Sequence, residues 1–251
     1  MKDRFTDQVA IVTGGGMGIG KIVAQRLASE GAQVAIFDRN GEVAEETAAE
    51  FKTAGLAVEA LATDIADEES VKSSIGKVVS SHGRLDVMIN CAGIAGPTNT
   101  KILDYSLEEF DQIYAVNLRG SYLMTKYALP PMLEHDYGRI LLYSSVGGKE
   151  GNPGMCGYAA TKAGVMGLVK GVGKEYAETG VTVNGLAPAV IRTPMVAAVD
   201  PAMVEYMTAR IPMKRTGSME EAAAISAFIC SRECSFCTAF VFDLTGGRAT
   251  Y

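Results

Sequence analysis

The sequence predicts an α/β protein with one doubly wound, parallel sheet of about seven strands and helices on both faces. Short apolar, often β-branched runs alternate from end to end with longer segments whose apolar residues recur near the helical period. The short runs are almost continuously apolar, which is typical of strands that are covered by helices on both sides. Repeated strand–helix–strand units require parallel pairing with right-handed crossovers.

The elements follow in order along the chain. The predicted strands are VAIVT (9–13), QVAIF (33–37), LAVEALA (56–62), LDVMIN (85–90), RILLYS (139–144), VTVNGLA (181–187) and AFVFDL (239–244). The predicted helices cover residues 18–30, 41–54, 67–81, 107–128, 158–178 and 219–231. Two helices begin with the Ser-x-x-Glu pattern of a capping box, at Ser106 and Ser218. No linker divides the chain, so we predict a single domain over residues 1–251, with a substrate lid in the proline-containing stretch 188–217.

Composition excludes several classes of function. The net charge is −6 and no block of Lys or Arg occurs, which argues against nucleic acid or an anionic membrane as a partner. The start of the chain lacks the pattern of a signal peptide, and no apolar run reaches the ~18–20 residues of a membrane span. We therefore expect a cytoplasmic protein. Cys234 and Cys237 have the spacing of a zinc or redox half-site, but no second such pair and no nearby His accompany them, so we predict no metal.

A glycine-rich turn follows the first predicted strand, in Thr13-Gly-Gly-Gly-Met-Gly-Ile-Gly20. Glycines allow the tight turn and let a pyrophosphate approach the backbone, where the next helix directs its N-terminal amides. Asp38 ends the second strand about 20 residues on, as in a Rossmann dinucleotide site. A carboxylate there accepts ribose hydroxyls and repels a 2′-phosphate, which favours NAD over NADP. Two alternatives stay open: Arg39 could hold that phosphate, and Asp38 could simply cap the next turn.

The spacing Thr13-Gly14-x-x-x-Gly18-x-Gly20 resembles that of the short-chain dehydrogenase/reductase family, in its branch of short single-domain enzymes. Further motifs similar to the family's occur in order over almost the whole chain: Asp64, Asn90-Cys-Ala-Gly93, Asn117, Ser145, Tyr158, Lys162 and LAPAVIRTP (186–194). The chain departs from the family pattern at two positions. Cys91 replaces an Asn, and Ala189 replaces a Gly that commonly follows the proline.

The resemblance implies an NAD-dependent oxidoreductase that interconverts a secondary alcohol and a ketone. Tyr158 would be the acid/base, Lys162 would lower its pKa and hold the nicotinamide ribose, and Ser145 would orient the reacting oxygen. Asn117 would anchor a proton-relay water. The implied cofactor contacts are Gly14, Gly16, Met17, Gly18, Ile19, Gly20, Asp38, Asp64, Ile65, Asn90, Ala92, Gly93, Tyr158, Lys162, Pro188, Ile191 and Thr193.

A second Tyr–Lys pair has the same spacing, at Tyr122 and Lys126. Spacing alone therefore does not identify the catalytic tyrosine. Hydride leaves a secondary alcohol only as its hydroxyl proton is removed, so a base must be positioned there. Free tyrosine is too weak a base, and a neighbouring ammonium favours phenolate. In the family that the chain resembles, a serine after a strand precedes the catalytic tyrosine by about a dozen residues. Ser145 and Tyr158 match this arrangement and Tyr122 has no such serine, so we predict that Tyr158 is the base.

The sequence says less about the substrate. KEGNP (149–153), PAVIRTP (188–194) and GGRATY (246–251) resemble NAD-dependent members that act on sugar acids such as 2-keto-3-deoxy acids, which suggests carbohydrate metabolism. Lys149 and Arg192 are candidate contacts of a carboxylate or hydroxyl-rich substrate, although exposed, solvated charge is the more usual fate of such residues. Two alternatives are a 3-oxoacyl reductase acting on a carrier protein or CoA, and a non-catalytic NAD-binding regulator. The resemblance also implies a homotetramer that binds a small molecule.

Overall fold

The computed structural model describes residues 3–197 and 201–251 and contains a seven-stranded parallel sheet in the order β3-β2-β1-β4-β5-β6-β7. The strands are β1 Val9–Thr13, β2 Gln33–Asp38, β3 Val58–Ala62, β4 Val87–Asn90, β5 Gly138–Tyr143, β6 Val181–Pro188 and β7 Val241–Leu244. Strand β1 pairs with β2 on one side and with β4 on the other, so the chain winds outward in both directions from this point. The predicted fold class is confirmed.

The helices connect these strands: α1 Gly18–Ser29, α2 Gly41–Thr53, α3 Glu68–His82, α4 Leu107–Tyr114, α5 Gly120–Glu134, α6 Val146–Glu150, α7 Cys156–Glu175, α8 Pro194–Ala197, α9 Pro201–Ala209 and α10 Met219–Ile229. Both predicted capping boxes form. The hydroxyls of Ser106 and Ser218 each accept a backbone N–H at 3.2 Å, from Glu109 and Glu221. Because these bonds satisfy amides that the helix itself cannot pair, they fix where α4 and α10 begin.

Two hydrophobic layers cover the sheet, one on each face. Alternation along the strands divides them: Ile11 and Met88 belong to the layer under α3, α5 and α7, whereas Val12 and Ile89 belong to the layer under α1, α2 and α10. All four side chains are fully buried. This burial on both faces explains why the strand sequences lack polar alternation.

The predicted helix 107–128 differs from the observed structure in two ways. A π-helical turn at Ala115–Arg119 separates α4 from α5, and α5 runs past Pro130 and Pro131 to Glu134. A proline removes a helical hydrogen bond, so the sequence alone predicts an end before Pro130. Leu129 and Met132 are buried in the core around this segment, and their packing offsets the lost bonds. Turns of the π type are frequent at functional sites.

The stretch 188–217, predicted as a lid, contains the short helices α8 and α9, and each begins at a proline. A proline suits the first helical position because its missing N–H would have no partner there. The base of the stretch is fixed, since Gly217 N donates to Val190 O at 2.9 Å and Arg192 N donates to Gly217 O at 3.0 Å. Residues 198–200 of the predicted lid lie outside the described residues.

Candidate active site

A cleft of about 390 Å³ opens at the carboxyl ends of β1, β2 and β4. This is the place where parallel α/β sheets bind ligands, beside the strand at which the winding reverses. Eleven residues predicted from the sequence as cofactor contacts line it: Gly14, Met17, Gly18, Ile19, Gly20, Asp38, Asp64, Ile65, Ala92, Gly93 and Thr193. The cleft therefore gathers residues from positions 14 to 193 of the chain.

The glycine turn leaves room for a phosphate group. Gly14 has φ of 61°, and a Cβ on it would lie 3.0 Å from the Cα of Ala92. A Cβ on Gly20 would overlap the carbonyl oxygen of Gly14, so α1 starts directly against the turn. Gly18 has φ of 58°, and a Cβ there would meet no atom within 4 Å. A tight turn, an open approach and the start of a helix fit a dinucleotide pyrophosphate.

Asp38 forms the turn contacts that the sequence gave as one alternative, and it also lies where the other alternative, contact with a ribose, is possible. Its carboxylate accepts hydrogen bonds from Gly16 N at 3.1 Å and from Asn40 N at 3.0 Å, so it ties the glycine turn to the start of α2. The same side chain lines the cleft, next to the exposed Arg39. The two amides hold the carboxylate in place at the cleft wall, where it would face an adenosine ribose.

Two predicted contacts lie behind the cleft wall. The Asn90 side chain accepts from Thr13 Oγ1 at 2.5 Å and donates to Ser121 Oγ at 2.9 Å, so it joins the ends of β1 and β4 to α5. Gly16 contributes its amide to Asp38, and a larger residue would press against that carboxylate at 3.0 Å. Neither residue lines the cleft itself: Asn90 holds the strand ends together, and Gly16 holds the Asp38 carboxylate in place.

Ser145 and Tyr158 come together on elements that pack closely. Ser145 follows β5 and caps α6, where its hydroxyl accepts from Gly147 N at 3.0 Å. A Cβ on Gly148 would approach the backbone of Lys162 and Ala163 within 2.8 Å, so glycine lets α6 contact α7 directly. Tyr158 lies on the first turns of α7, and its Cε1 atom and Ser145 Oγ both lie within 3.5 Å of the position that a Cβ on Gly147 would take.

Lys162 and Asn117 complete this cluster. Lys162 is 5% exposed, and its ammonium donates to Tyr143 O at 2.8 Å and lies 5.8 Å from the centre of the Tyr158 ring. A Cβ on Gly93 would lie 3.1 Å from Asn117 Oδ1 and 3.3 Å from Lys162 Nζ, so both groups stand beside the cleft. The π-helical turn carries Asn117, whose amide exchanges two hydrogen bonds with the backbone of Ile94, at 2.9 and 3.0 Å.

The pKa values of the two central groups move in opposite directions. Desolvation raises the pKa of Tyr158, and the neighbouring Ser145 hydroxyl partly opposes this rise. Desolvation lowers the pKa of Lys162 to about 8, and the nearby Cys91 opposes it. We expected from the sequence that Lys162 would lower the pKa of Tyr158; in the structure, burial of the phenol raises that pKa overall. The protein groups therefore favour the neutral phenol.

The remaining predicted residues lie farther along the same edge. Pro188 ends β6, Ile191 is buried, and the hydroxyl of Thr193 accepts from Val196 N at 3.2 Å at the start of α8. The exposed Arg192 lines a second cleft, of about 610 Å³, with residues of α9. Lys149 forms an ion pair within the chain, because its ammonium lies 2.7 Å from Asp243 Oδ2.

The other Tyr–Lys pair lies on the surface. Tyr122 is 49% exposed, and Lys126 pairs with Glu68 at 2.9 Å. Lys126 also lies near Tyr127, at 5.0 Å from the ring centre. No serine from a strand end hydrogen-bonds Tyr122 within residues 3–197 and 201–251. The two Tyr–Lys pairs with the same spacing thus differ in position: Tyr122 and Lys126 lie at the surface, whereas Lys162 is buried beside the cleft.

Comparison with known proteins identifies the family. A family model described as enoyl-(acyl carrier protein) reductase matches residues 14–248. The chain is 41% identical over 248 residues to the 2-dehydro-3-deoxy-L-rhamnonate dehydrogenase (NAD(+)) of Sphingomonas sp. (strain SKA58), covering 99% of this chain and 98% of that protein. The chain belongs to the short-chain dehydrogenase/reductase family. The predicted family and its oxidoreductase class are confirmed.

Other relatives of the family differ in substrate. The 3-oxoacyl-(acyl-carrier-protein) reductase FabG of Staphylococcus aureus is 38% identical over 239 residues, covering 95% of this chain and 96% of that protein. The crystal structure of 3-ketoacyl-(acyl-carrier-protein) reductase from Brucella melitensis complexed with NADH is 34% identical, with a TM-score of 0.91 over 98% of this chain and 100% of that chain. Relatives of similar sequence thus carry names that specify chemically different substrates.

Some cleft residues of this dehydrogenase/reductase were not predicted. These are Phe37, Thr63, Cys91, Ile94, Val116 and Pro194, and each directly adjoins or lies close in sequence to a predicted residue or strand end. Arg39, which the sequence offered only as a possible holder of a 2′-phosphate, lines the cleft as well. A rule that includes the neighbours of each strand end would have found most of them.

In the described part of the chain, no helix is long and apolar enough to cross a membrane, and no group of three or more His, Cys, Asp or Glu is arranged to hold a metal ion.

Proposed function

We propose that this chain is an NAD-dependent dehydrogenase that oxidises the secondary alcohol of a small sugar-derived hydroxy acid, such as a 2-keto-3-deoxy acid. The observation that carries the proposal is the position of Asp38, held by two backbone amides on the wall of the cleft. Its charge disfavours the 2′-phosphate of NADP. The 41% identity to an NAD(+) enzyme of 2-dehydro-3-deoxy-L-rhamnonate supports the same cofactor and substrate class.

The dinucleotide would be held by the glycine turn at its pyrophosphate, by Asp38 at its adenosine ribose and by Lys162 at its nicotinamide ribose. When bound, it supplies the acceptor for the hydride that leaves the carbinol carbon. Ser145 would donate a hydrogen bond to the alcohol oxygen and fix its orientation. Tyr158, as phenolate, would accept the hydroxyl proton as the carbonyl forms.

Proton release would pass from Tyr158 toward Lys162 and Asn117. Because the protein groups raise the pKa of Tyr158, the positive charge of the oxidised nicotinamide ring is needed to favour phenolate. Lys162, with a pKa of about 8, can then exchange protons near neutral pH. Asn117 would anchor the water through which Lys162 reaches solvent.

Replacing Tyr158 by Phe tests the mechanism. We expect Tyr158→Phe to lower kcat by about 10³-fold, since general acid–base catalysis contributes about 10²–10⁴-fold. NADH binding, followed by its fluorescence, should stay within a factor of two, and Tyr122→Phe should retain full activity. A non-catalytic NAD-binding regulator would show no turnover in either variant or in the unsubstituted protein.

A second candidate function is 3-oxoacyl reduction, which the 38% identity to FabG favours. The two candidates differ in the substrate that the purified protein turns over. Formation of NADH from 2-dehydro-3-deoxy-L-rhamnonate would support the first, and oxidation of NADPH by a 3-oxoacyl thioester would support the second. Lys149 is paired with Asp243, which leaves Arg192 as the better candidate for a substrate carboxylate.

We also propose a homotetramer located in the cytoplasm. Apolar side chains are exposed on and before α4 and α5, at Ile102, Leu103, Leu107, Phe110, Tyr114 and Tyr122. Apolar patches of this kind often mark interfaces between subunits. Light scattering should give four times the chain mass, and a monomer at all concentrations would contradict this proposal.

A further inference from the structure

Asn152 lies beside the two hydroxyls proposed to contact the substrate. Its Nδ2 atom is 3.1 Å from the point where a Cβ on Gly147 would stand, and Ser145 Oγ and Tyr158 Cε1 are 3.4 and 3.5 Å from that same point. Three chemically different side chains therefore approach the same point beside the backbone of Gly147. The sequence analysis assigned no role to Asn152, although it belongs to the KEGNP stretch (149–153) that resembles members acting on sugar acids.

Arg248 determines which end of the Asn152 amide faces this space. Arg248 Nη2 contacts the amide at 3.2 Å. A guanidinium group can only donate hydrogen bonds, so the atom it contacts must be the amide oxygen. The amide nitrogen must then point the other way, toward Ser145 and Tyr158. In the described part of the chain, Nδ2 donates to no protein acceptor, although Asn152 is only 9% exposed.

Arg248 is itself firmly held. Its Nε and Nη2 atoms donate to Glu150 Oε2 at 3.1 and 2.9 Å, and its side chain is 2% exposed. Gly246 and Gly247, with φ of 59° and 87°, turn the chain after β7 so that Arg248 reaches Glu150. Its Nη1 atom is buried without a partner among the described residues.

We propose that Asn152 donates a hydrogen bond from Nδ2 to a second oxygen of the substrate, and that Arg248 is the positioning residue that keeps this amide turned inward. The inference rests on the proposed function. Ser145 and Tyr158 serve the reacting oxygen, so Nδ2 is available to an oxygen on a nearby carbon. The site would thereby select alcohols that carry a hydroxyl, carbonyl or carboxylate oxygen close to the carbinol over plain alkyl alcohols.

A double-mutant cycle with 2-dehydro-3-deoxy-L-rhamnonate and NAD tests the proposal. Asn152→Asp keeps an acceptor for Arg248 but replaces the inward donor by an acceptor, and should lower kcat/KM by about 100-fold. Arg248→Met frees the amide to turn and should lower kcat/KM by about 10-fold. If Arg248 acts through Asn152, the double variant should lose no more than Asn152→Asp does.

The matched control is Arg4→Met, because Arg4 forms a similar two-bonded pair with Glu30 far from the cleft, at 2.5 and 2.8 Å. It should leave kcat/KM unchanged. NADH fluorescence and the melting temperature of Asn152→Asp should match the unsubstituted protein, which separates positioning from misfolding. A variant that melts early is replaced by Asn152→Ser, for which the same comparison with Arg248→Met applies.

The possible failures are distinguishable. Losses that multiply in the double variant would overturn the link between Arg248 and Asn152. Full activity of Asn152→Asp would overturn the role of Nδ2 while leaving the proposed function intact. Absence of turnover by the unsubstituted protein on any alcohol with either dinucleotide would overturn the proposed function, and this inference with it.

Discussion

Replacement of Lys162 by Met separates the cost of burying an ammonium group from its value in catalysis. Desolvation lowers the pKa of Lys162 from 10.5 to about 8. At about 1.4 kcal/mol per pKa unit, the charged group costs the native state about 3 kcal/mol at pH 7. Loss of the bond to Tyr143 O, 2.8 Å long, offsets about 1–2 kcal/mol of this. The variant should be more stable by about 1–2 kcal/mol and melt about 4 °C higher.

The effect of Lys162→Met on the free energy of unfolding should change sign with pH. Between pH 8 and pH 10.5 the unfolded chain keeps the Lys162 proton that the native protein has lost, so the stability conferred by this group rises with pH. The advantage of Lys162→Met over the unsubstituted protein should therefore shrink by about 2–3 kcal/mol from pH 7 to pH 10 and reverse. Calorimetric melting at each pH measures the difference.

The surface lysine provides the control. Lys126→Met removes an ammonium at the same spacing from a tyrosine, but Glu68 raises the pKa of Lys126, so no stabilisation at pH 7 is expected. Turnover should fall by about 10³-fold in Lys162→Met and stay unchanged in Lys126→Met. A stability difference between Lys162→Met and the unsubstituted protein that is constant from pH 7 to pH 10 would refute the assignment of a lowered pKa to Lys162.

Two further predictions concern the cofactor cleft. Asp38→Asn removes the negative charge but keeps an acceptor for the amides of Gly16 and Asn40. The ratio of kcat/KM with NADP to kcat/KM with NAD should therefore rise by about 10-fold or more. An unchanged ratio would show that the carboxylate does not face the ribose. Gly20→Ala places a methyl group against Gly14 O, so a fluorescence titration should show NADH binding weakened by about 100-fold. Gly76→Ala is the control: a Cβ there meets nothing within 4 Å, so this variant should bind NADH normally.

Local sequence predicts most of the fold because strand and helix signals are short-range. The strand β1, the helix α1 and the two capping boxes depend on residues within a few positions of one another. The end of α5 was missed, since the burial of Met132 against the sheet outweighs the local signal of two prolines. Only the folded core shows that contribution.

The substrate side of the site was less predictable because its contacts join distant parts of the chain. No acidic partner for Lys149 could be recognised in the sequence, because the residue that it pairs with, Asp243, is 94 positions away. Asn152 is oriented by Arg248, and Arg248 by Glu150, at separations of 96 and 98 positions. No periodicity or motif relates such residues. They meet because β7 pairs with β6 and returns the end of the chain to the loop that follows β5.

The two Tyr–Lys pairs show what a four-residue spacing does and does not determine. Both lysines lie one helical turn beyond a tyrosine, yet their pKa values shift in opposite directions: Glu68 raises that of Lys126, and desolvation lowers that of Lys162. The difference arises from the partner that each helix faces. Helix α5 turns Tyr122 and Lys126 to solvent, whereas α7 packs Lys162 against the end of β5, where its ammonium meets Tyr143 O. The burial of Lys162 at the end of β5, and not its spacing from a tyrosine, therefore brings its pKa close to neutral pH.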